Sequence, residues 1–424
     1  MKLIFKLMLI TIVFNYSFSQ CEGDANLDNT IDILDIVTVV NHALGNILLD
    51  GEAFDNAEID GDNIINILDI VLIVAIVLNG DSDCDTDFNP IDLSLEWEFQ
   101  DDLSYFDSEA LSSIMDEQVS TLQYIQGMII VHRGEIVTEE YYNFGSIDNI
   151  YNIWSATKSY MSTLIGQAID EGLINAQNST VDNFFPDYDV DVLSSITLQN
   201  LLSMSSGYYD FYGYPTWMEV PTQDLLEMPY TFPGFFFYNN SACHINAHVL
   251  FEGTGITPIE YANSNLFPYL GINNPQWFDG YNNINDGSAS LLLTLREMIK
   301  LGQLYLQDGY SGGNQVVPSE WIVEATSWKG ATGNDVLPGY GYLWWLPDIG
   351  YLGYGYGGQF IAVIPELDLV IGTNSQVVGN TPIYQSQLLY IIYNQIVPLF
   401  DFSGFLNNGD VNIDMFNNNL PIIK

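Results

Sequence analysis

Apolar positions recur along the chain in three ways. Close to the N-terminus two segments repeat in register, "GDANLDNTIDILDIV" from Gly23 and "AEIDGDNIINILDIV" from Ala57, and each leads into an apolar helix, "DIVTVVNHALG" and "DIVLIVAIVLNG". Farther on, "GMIIVHRGEIVTEEYY" predicts strand, glycine turn, strand, and "GQFIAVIPELDLVIGTN" predicts a late hairpin. After Ser155 the residues Met161, Leu164, Ile165, Ala168, Ile169 and Leu173 recur at i, i+3, i+4, which predicts a helix with one buried face. "YQSQLLYIIYNQIV" predicts a closing helix. Strands from both ends of a domain that enclose a helical middle predict an α+β fold, an antiparallel sheet with helices packed on it.

The N-terminus changes this picture by adding a leader. Lys2 and Lys6, the run "LMLITIVF" and the small-x-small site Ser17-Phe18-Ser19 read as a secretory signal over residues 1–19. The protein is therefore expected outside the cytoplasm, extracellular or periplasmic. The leader's apolar run is too short to span a bilayer, and no later stretch qualifies. The expected order is the signal, a small all-α module over 20–85, a large domain over 86–400, and an Asn-rich tail over 401–424 with no assignment.

Charge excludes some partners. The formal net charge is −46, yet only 15% of residues are charged and 48% are hydrophobic. Such a field repels nucleic acid and anionic membranes and favours bound cations, while the apolar content makes the chain a folded acidic protein and not a disordered one.

The repeated segments place oxygen-bearing groups at positions 1, 3, 5, 7, 9 and 12 of a twelve-residue loop, the spacing that wraps a calcium ion. The first supplies Asp24, Asn26, Asp28, the Thr30 carbonyl, Asp32 and Asp35; the second supplies Glu58, Asp60, Asp62, the Ile64 carbonyl, Asn66 and Asp69. Asn29 and Asn63 stand at position 6, where the turn needs a left-handed backbone, and Ile31 and Ile65 at position 8 anchor the turn in a core. Two structural Ca2+ sites are expected. Loop plus single helix, twice, with Asp at position 12, resembles the type I dockerin family over residues 20–85. That resemblance implies folding on calcium and docking to a cohesin-like module through positions 10 and 11, here Ile33-Leu34 and Ile67-Leu68. It also implies that the module's ends meet, so that Cys21 and Cys84 form a disulfide and Cys243 remains a buried free thiol.

The catalytic candidate is "NIWSATKSY", in which Ser155 and Lys158 share a helix face three residues apart. Lysine is a base for serine only where burial favours its neutral form; on the pair alone, catalysis and coincidence weigh evenly. Further segments follow in order: "ITLQNLLSMSSGY", "FFYNNSACHINAHVL", "GYGYLWWL" and "YGYGGQFIAVIPELDLVIG". Together they resemble the serine beta-lactamase and penicillin-binding-protein superfamily, in its branch of class C-like esterases and 6-aminohexanoate-oligomer hydrolases. The resemblance implies a beta-lactamase/transpeptidase-like fold with a helical subdomain. It implies Ser155 as acylated nucleophile, Lys158 as proton acceptor, Tyr238 of "YNN" as proton shuttle and Asn240 as its orienting partner. The oxyanion hole would use the N–H groups of Ser155 and of Tyr356, the latter expected in a strand. Where the family carries a cation this chain has Gly353, which points to a small neutral ester or amide substrate. The second reading is a silent penicillin-binding-like binding protein in a dockerin–cohesin type assembly. His244 and His248, beside Cys243, have the spacing of zinc ligands but no third ligand, and are expected to pack. Trp344-Trp345 divide evenly between cleft and core, and Asp210 reads as an exposed loop acid.

Overall fold

A computed structural model of the chain describes residues 23–26, 31, 33–49, 51–59, 64–79, 90–101, 103, 106–377 and 382–400. The signal, the tail, Cys21, Cys84, Asp28, Thr30, Asp32, Asp60 and Asp62 lie outside the described residues. The chain divides into two compact units between Asn89 and Pro90.

In the first unit the repeats give α1 (Ile33–Ala43) and α3 (Ile67–Asn79), with an unforeseen short helix between them, α2 (Gly51–Ala57). Both repeat helices begin earlier than predicted, at Ile33 and Ile67. Asp35 and Asp69 therefore sit in the first turn, where the helix dipole favours a carboxylate. Matching positions of the two repeats fill one small core: Ile31 with Ile65, Val39 with Ile73. The outer faces are left apolar and exposed, with Ile33, Leu34 and Val37 on α1 and Ile67, Leu68 and Val71 on α3.

The second unit is built on an eight-stranded sheet. Its strands are β1 (Ile125–His132), β2 (Glu135–Tyr141), β3 (Gly330–Ala331), β4 (Gly339–Tyr340), β5 (Trp345–Leu346), β6 (Tyr351–Gly355), β7 (Gln359–Ile364) and β8 (Leu369–Ser375). They lie in the order β2-β1-β8-β7-β6-β5-β4-β3 with every pair antiparallel. The predicted early and late hairpins thus meet at the β1–β8 seam, where Ile130 faces Ile371. Helices cover both faces. On one, α7 (Leu295–Leu306) comes so close that a Cβ on Gly372 would lie 1.9 Å from Ile299. On the other, Tyr384 of α8 (Pro382–Tyr390) bonds Ser375 at 2.6 Å. α8 continues as a π-helical turn, Ile391–Ile396, and α4 (Ser108–Glu117) packs near it.

The helix after Ser155, α5 (Thr157–Asp170), differs from expectation. It is buried on every side from Thr157 to Ala168, and the predicted Leu173 falls beyond its end and is exposed. It lies between the sheet and α6 (Asn240–Thr254), so its polar side chains are core residues that need partners. Ser159 Oγ donates to the Leu343 carbonyl at 3.0 Å, Thr163 Oγ1 bonds Tyr305 Oη at 2.9 Å, and Gln167 Nε2 donates to the Asn265 and Val316 carbonyls, each at 2.8 Å. Among the described residues no helix is long and apolar enough to cross a membrane.

Candidate active site

Ser155 lies in a single 3-10 turn, Trp154–Ala156, that joins a short strand, Tyr151–Asn152, to α5. That strand pairs with Leu291–Leu293, and the Ile153 N–H donates to the Leu291 carbonyl at 2.9 Å. Trp154 takes the left-handed φ of 48°, and its N–H is held by Asn152 Oδ1 at 2.7 Å. The turn is fixed from both sides, and Ser155 remains half-buried at its crest.

One turn along α5, Lys158 is 1% exposed. Its Nζ donates to Ser155 Oγ at 3.0 Å, to Asn240 Oδ1 at 2.8 Å and to the Ser288 carbonyl at 2.7 Å. All of its hydrogen-bonding capacity is used. Tyr238 and Asn240 reach this lysine because Asn239 between them caps α6. Its Oδ1 accepts from the Ala242 N–H at 2.8 Å and its Nδ2 donates to the Tyr208 carbonyl at 2.9 Å. The Tyr238 ring centroid is 5.0 Å from Lys158 Nζ, and the ring stacks on Trp345 at 5.6 Å.

Tyr356 is in a turn and not in a strand. Gly355 pairs with Gln359, and Gly357 and Gly358 take φ of 92° and 103°, which side-chain-bearing residues rarely adopt. A Cβ on Gly355 would lie 2.4 Å from the Ile153 carbonyl, so the end of β6 rests against the Ser155 turn. The Tyr356 ring meets Trp154 edge-on at 5.7 Å. Five residues from three separate stretches of the chain, Ser155 with Lys158, Tyr238 with Asn240, and Tyr356, thereby converge on one place.

Comparison with known proteins agrees with this architecture. Residues 115–392 match the family described as Beta-lactamase. The chain belongs to the Beta-lactamase family. It is 25% identical over 279 residues to a 6-aminohexanoate-dimer hydrolase of Paenarthrobacter ureafaciens, covering 57% of this chain and 70% of that one. A penicillin-binding protein homolog from Caulobacter crescentus has the same fold at a TM-score of 0.57, with 15% identity over 71% of this chain and 99% of the other. EstCE1, described as a hydrolase with promiscuous acyltransferase activity, gives a TM-score of 0.54 at 12% identity, over 68% of this chain and 98% of its own. The family is one of serine hydrolases of the amidase and esterase type.

In this Beta-lactamase family member the segment before Leu291 holds Lys158 from behind, which the sequence did not reveal. Ser288 Oγ donates to the Asn240 carbonyl at 2.5 Å, and the Ser288 N–H donates to Asp286 Oδ1 at 2.9 Å. Asp286 is fully buried and also accepts from Trp217 Nε1 at 3.0 Å and Ser290 Oγ at 3.1 Å. Burial raises its carboxyl pKa, against the bonds from Trp217 and Ser288 and the charge of Lys158. Nothing in "NDGSAS" marks these residues, because the group that Lys158 touches is a main-chain carbonyl.

His244 and His248 pack, as expected, and among the described residues no group of three or more potential metal-binding side chains of His, Cys, Asp or Glu occurs. The Gly287 N–H donates to His244 Nδ1 at 3.1 Å, which assigns the His244 proton to Nε2, facing His248 Nε2 at 3.3 Å. His248 Nδ1 then donates to Thr222 Oγ1 at 3.0 Å. Burial pushes His244 down to about 3 and His248 down as well, so the pair is neutral and supports the 286–290 segment. Cys243 is a buried free thiol whose pKa burial pushes up to about 11.

Three further expectations are decided by burial. Trp344 is core, against Tyr305 and Tyr351, whereas Trp345 underlies Tyr238. Asp210 is not an exposed acid: it is half-buried and accepts from Ser241 Oγ at 2.9 Å, near the start of α6. At Gly353 a Cβ would already be 3.3 Å from Ser159 Oγ and 3.4 Å from Trp344, which leaves little room for a long cationic side chain.

Proposed function

We propose that the protein hydrolyses small neutral esters or amides through an acyl-enzyme on Ser155. The observation that carries this reading is the set of partners around Lys158 Nζ. When the amine is neutral, two N–H bonds serve Asn240 Oδ1 and the Ser288 carbonyl, and its lone pair faces the Ser155 hydroxyl. Ser155 Oγ then attacks the substrate carbonyl as its proton passes to Lys158. The oxyanion is held by the N–H groups of Ser155 and Tyr356. Tyr238 gives its phenolic proton to the leaving alcohol or amine and regains one from Lys158. Water then adds to the acyl group, Oγ leaves and takes back a proton, and the free acid departs. The name of the 6-aminohexanoate-dimer hydrolase supports hydrolysis as the reaction. With no cation at Gly353, a substrate carboxylate would be poorly compensated, at a cost of about several kcal/mol.

The test is turnover of short-chain p-nitrophenyl esters, abolished in Ser155→Ala and strongly reduced in Lys158→Ala and Tyr238→Phe. Nitrocefin is expected at a kcat/KM at least about a hundredfold below the best ester, roughly the value of one desolvated charge pair. Nitrocefin turnover at or above the ester rate would refute the assignment of Gly353.

We propose further that the first unit binds two calcium ions, docks to a cohesin-like partner, and is carried outside the cytoplasm by the signal. The described donors fit a hard cation: Asp35 and Asp69 are fully buried carboxylates held by main-chain N–H groups, Asn26 N to Asp35 at 3.1 Å and Ile59 N to Asp69 at 2.9 Å. Calcium would offset their burial and tie the loops to the helices. Helical circular dichroism that falls in EDTA and returns with calcium but not magnesium is the expected result; an unchanged spectrum would count against it.

A further inference from the structure

Among the aromatic residues near Gly353, Trp344, Trp345 and Tyr354 are buried and Tyr356 is exposed. A second group of exposed rings is Tyr209, Phe211, Tyr214, Phe232, Phe235 and Phe237. They come from two segments that run side by side. Tyr208 pairs with Tyr230, the Tyr209 N–H donates to the Pro229 carbonyl and the Thr231 N–H to the Gly207 carbonyl, each at 2.7 Å, and the Phe237 N–H donates to the Met204 carbonyl at 2.7 Å. Gly207 permits this approach, since at φ 88° a Cβ would lie 2.9 Å from Pro233 N. Tyr209 stacks on Phe237 at 5.7 Å.

Both segments end at the Ser155 site. Phe237 directly precedes Tyr238, and Tyr214 meets Trp154, the neighbour of Ser155, at 5.4 Å. Six exposed aromatic rings on two paired segments form an apolar face of the kind that marks a binding site. The polar group nearest to it in sequence, Asp210, is turned to Ser241. The exposed rings of the 232–237 stretch are all phenylalanine, with no amide or carboxylate beside them to meet sugar hydroxyls.

We propose that this surface is the subsite for the part of the substrate beyond the scissile bond, and that the part it takes is an uncharged apolar chain or ring system. This rests on the reading of Ser155 as nucleophile and narrows its substrate class from small neutral esters to those with an extended apolar arm. The chain's charge of −46 repels anionic arms. The carboxylate within the 209–214 segment, Asp210, is taken by Ser241 and is not turned to the rings to pair with a cationic arm, which leaves them to neutral apolar groups.

The experiment compares p-nitrophenyl acetate with p-nitrophenyl octanoate in the wild type and in Phe232→Ala/Phe235→Ala. These rings are 59% and 72% exposed, so their loss leaves the fold intact. In the wild type, kcat/KM is expected to rise about tenfold or more from acetate to octanoate, a fraction of the transfer energy of the added methylenes. The double variant should lose most of that gain, its octanoate-to-acetate ratio of kcat/KM falling toward one. A gain fully kept in the double variant overturns the proposal. So does faster turnover of an ester with a quaternary ammonium arm than of the octanoate. If the wild type hydrolyses neither esters nor amides, the reading of Ser155 fails, and binding of the neutral probe N-phenyl-1-naphthylamine to Ser155→Ala decides the surface alone. Saturable fluorescence lost on Phe232→Ala/Phe235→Ala upholds it; no binding overturns it.

Discussion

Helices α3 and α5 invert the usual relation between hydrophobicity and burial. α3 reads "ILDIVLIVAIVLN", almost wholly apolar, yet Ile67, Leu68 and Val71 are exposed. α5 reads "TKSYMSTLIGQAID", with a lysine, two serines and two threonines, yet it is buried from Thr157 to Ala168. A small unit has too little protein to cover two apolar helices, so only one stripe of each reaches its core. A large unit covers a helix completely and must then satisfy every polar atom that it encloses. Apolar surface left outside is material for binding, and polar groups taken inside are material for chemistry.

Lys158→Met breaks the buried side of this contrast most severely. It preserves length, removes the amine from Ser155 and leaves Asn240 Oδ1 and the Ser288 carbonyl without their donor. Ester kcat/KM should fall about a thousandfold or more, the scale of a lost general base. A fall of less than about tenfold would show that some other group takes the proton.

Gln167→Leu tests the same helix without touching the site. It strands the Asn265 and Val316 carbonyls and should lower the unfolding free energy by about 2 kcal/mol in urea titrations, with KM unchanged. An unshifted midpoint would mean that these carbonyls find other partners.

How far the sequence revealed all this follows from which groups carry identity. The hairpins at β1–β2 and β7–β8 are long enough to show their apolar runs, and both are where they were read. The strands β3, β4 and β5 have two residues each and carry no period, so the far half of the sheet was invisible. At the site, Ser155, Lys158, Tyr238 and Asn240 were legible because side chains meet there. Ser288 was not, because it contributes a carbonyl that any residue has, and Asp286 matters only through holding it. The inward polar face of α5 was misread for a related reason: periodicity finds one apolar stripe and is silent about what packs on the others.

The neutral histidine pair extends the contrast to pH. Folded His244 has a pKa of about 3 against the ordinary 6.5, so below about pH 6.5 the unfolded chain binds more protons than the folded one. Stability is present above that pH and is lost as pH falls toward 3; buried Asp286, whose pKa is raised, opposes part of the loss. His244→Gln/His248→Gln should reduce the drop in unfolding free energy between pH 7 and pH 5 by about 2 kcal/mol. An equal drop in the variant would place the acid sensitivity elsewhere.

The smallest expected effect is on the exposed side. Leu34 and Leu68 occupy matching positions of the two repeats and are 54% and 57% exposed, while Val39 and Ile73 fill the core beneath. A side chain that keeps half its surface in water contributes little transfer energy to folding. Leu34→Ser/Leu68→Ser in the full chain should therefore shift urea unfolding, followed by helical circular dichroism, by less than about 0.5 kcal/mol. It should also lessen concentration-dependent light scattering, because it shrinks an apolar patch that has no role in the fold. Destabilisation above about 1 kcal/mol would mean that these faces are covered in solution, and α3 would then differ from α5 only in what covers it.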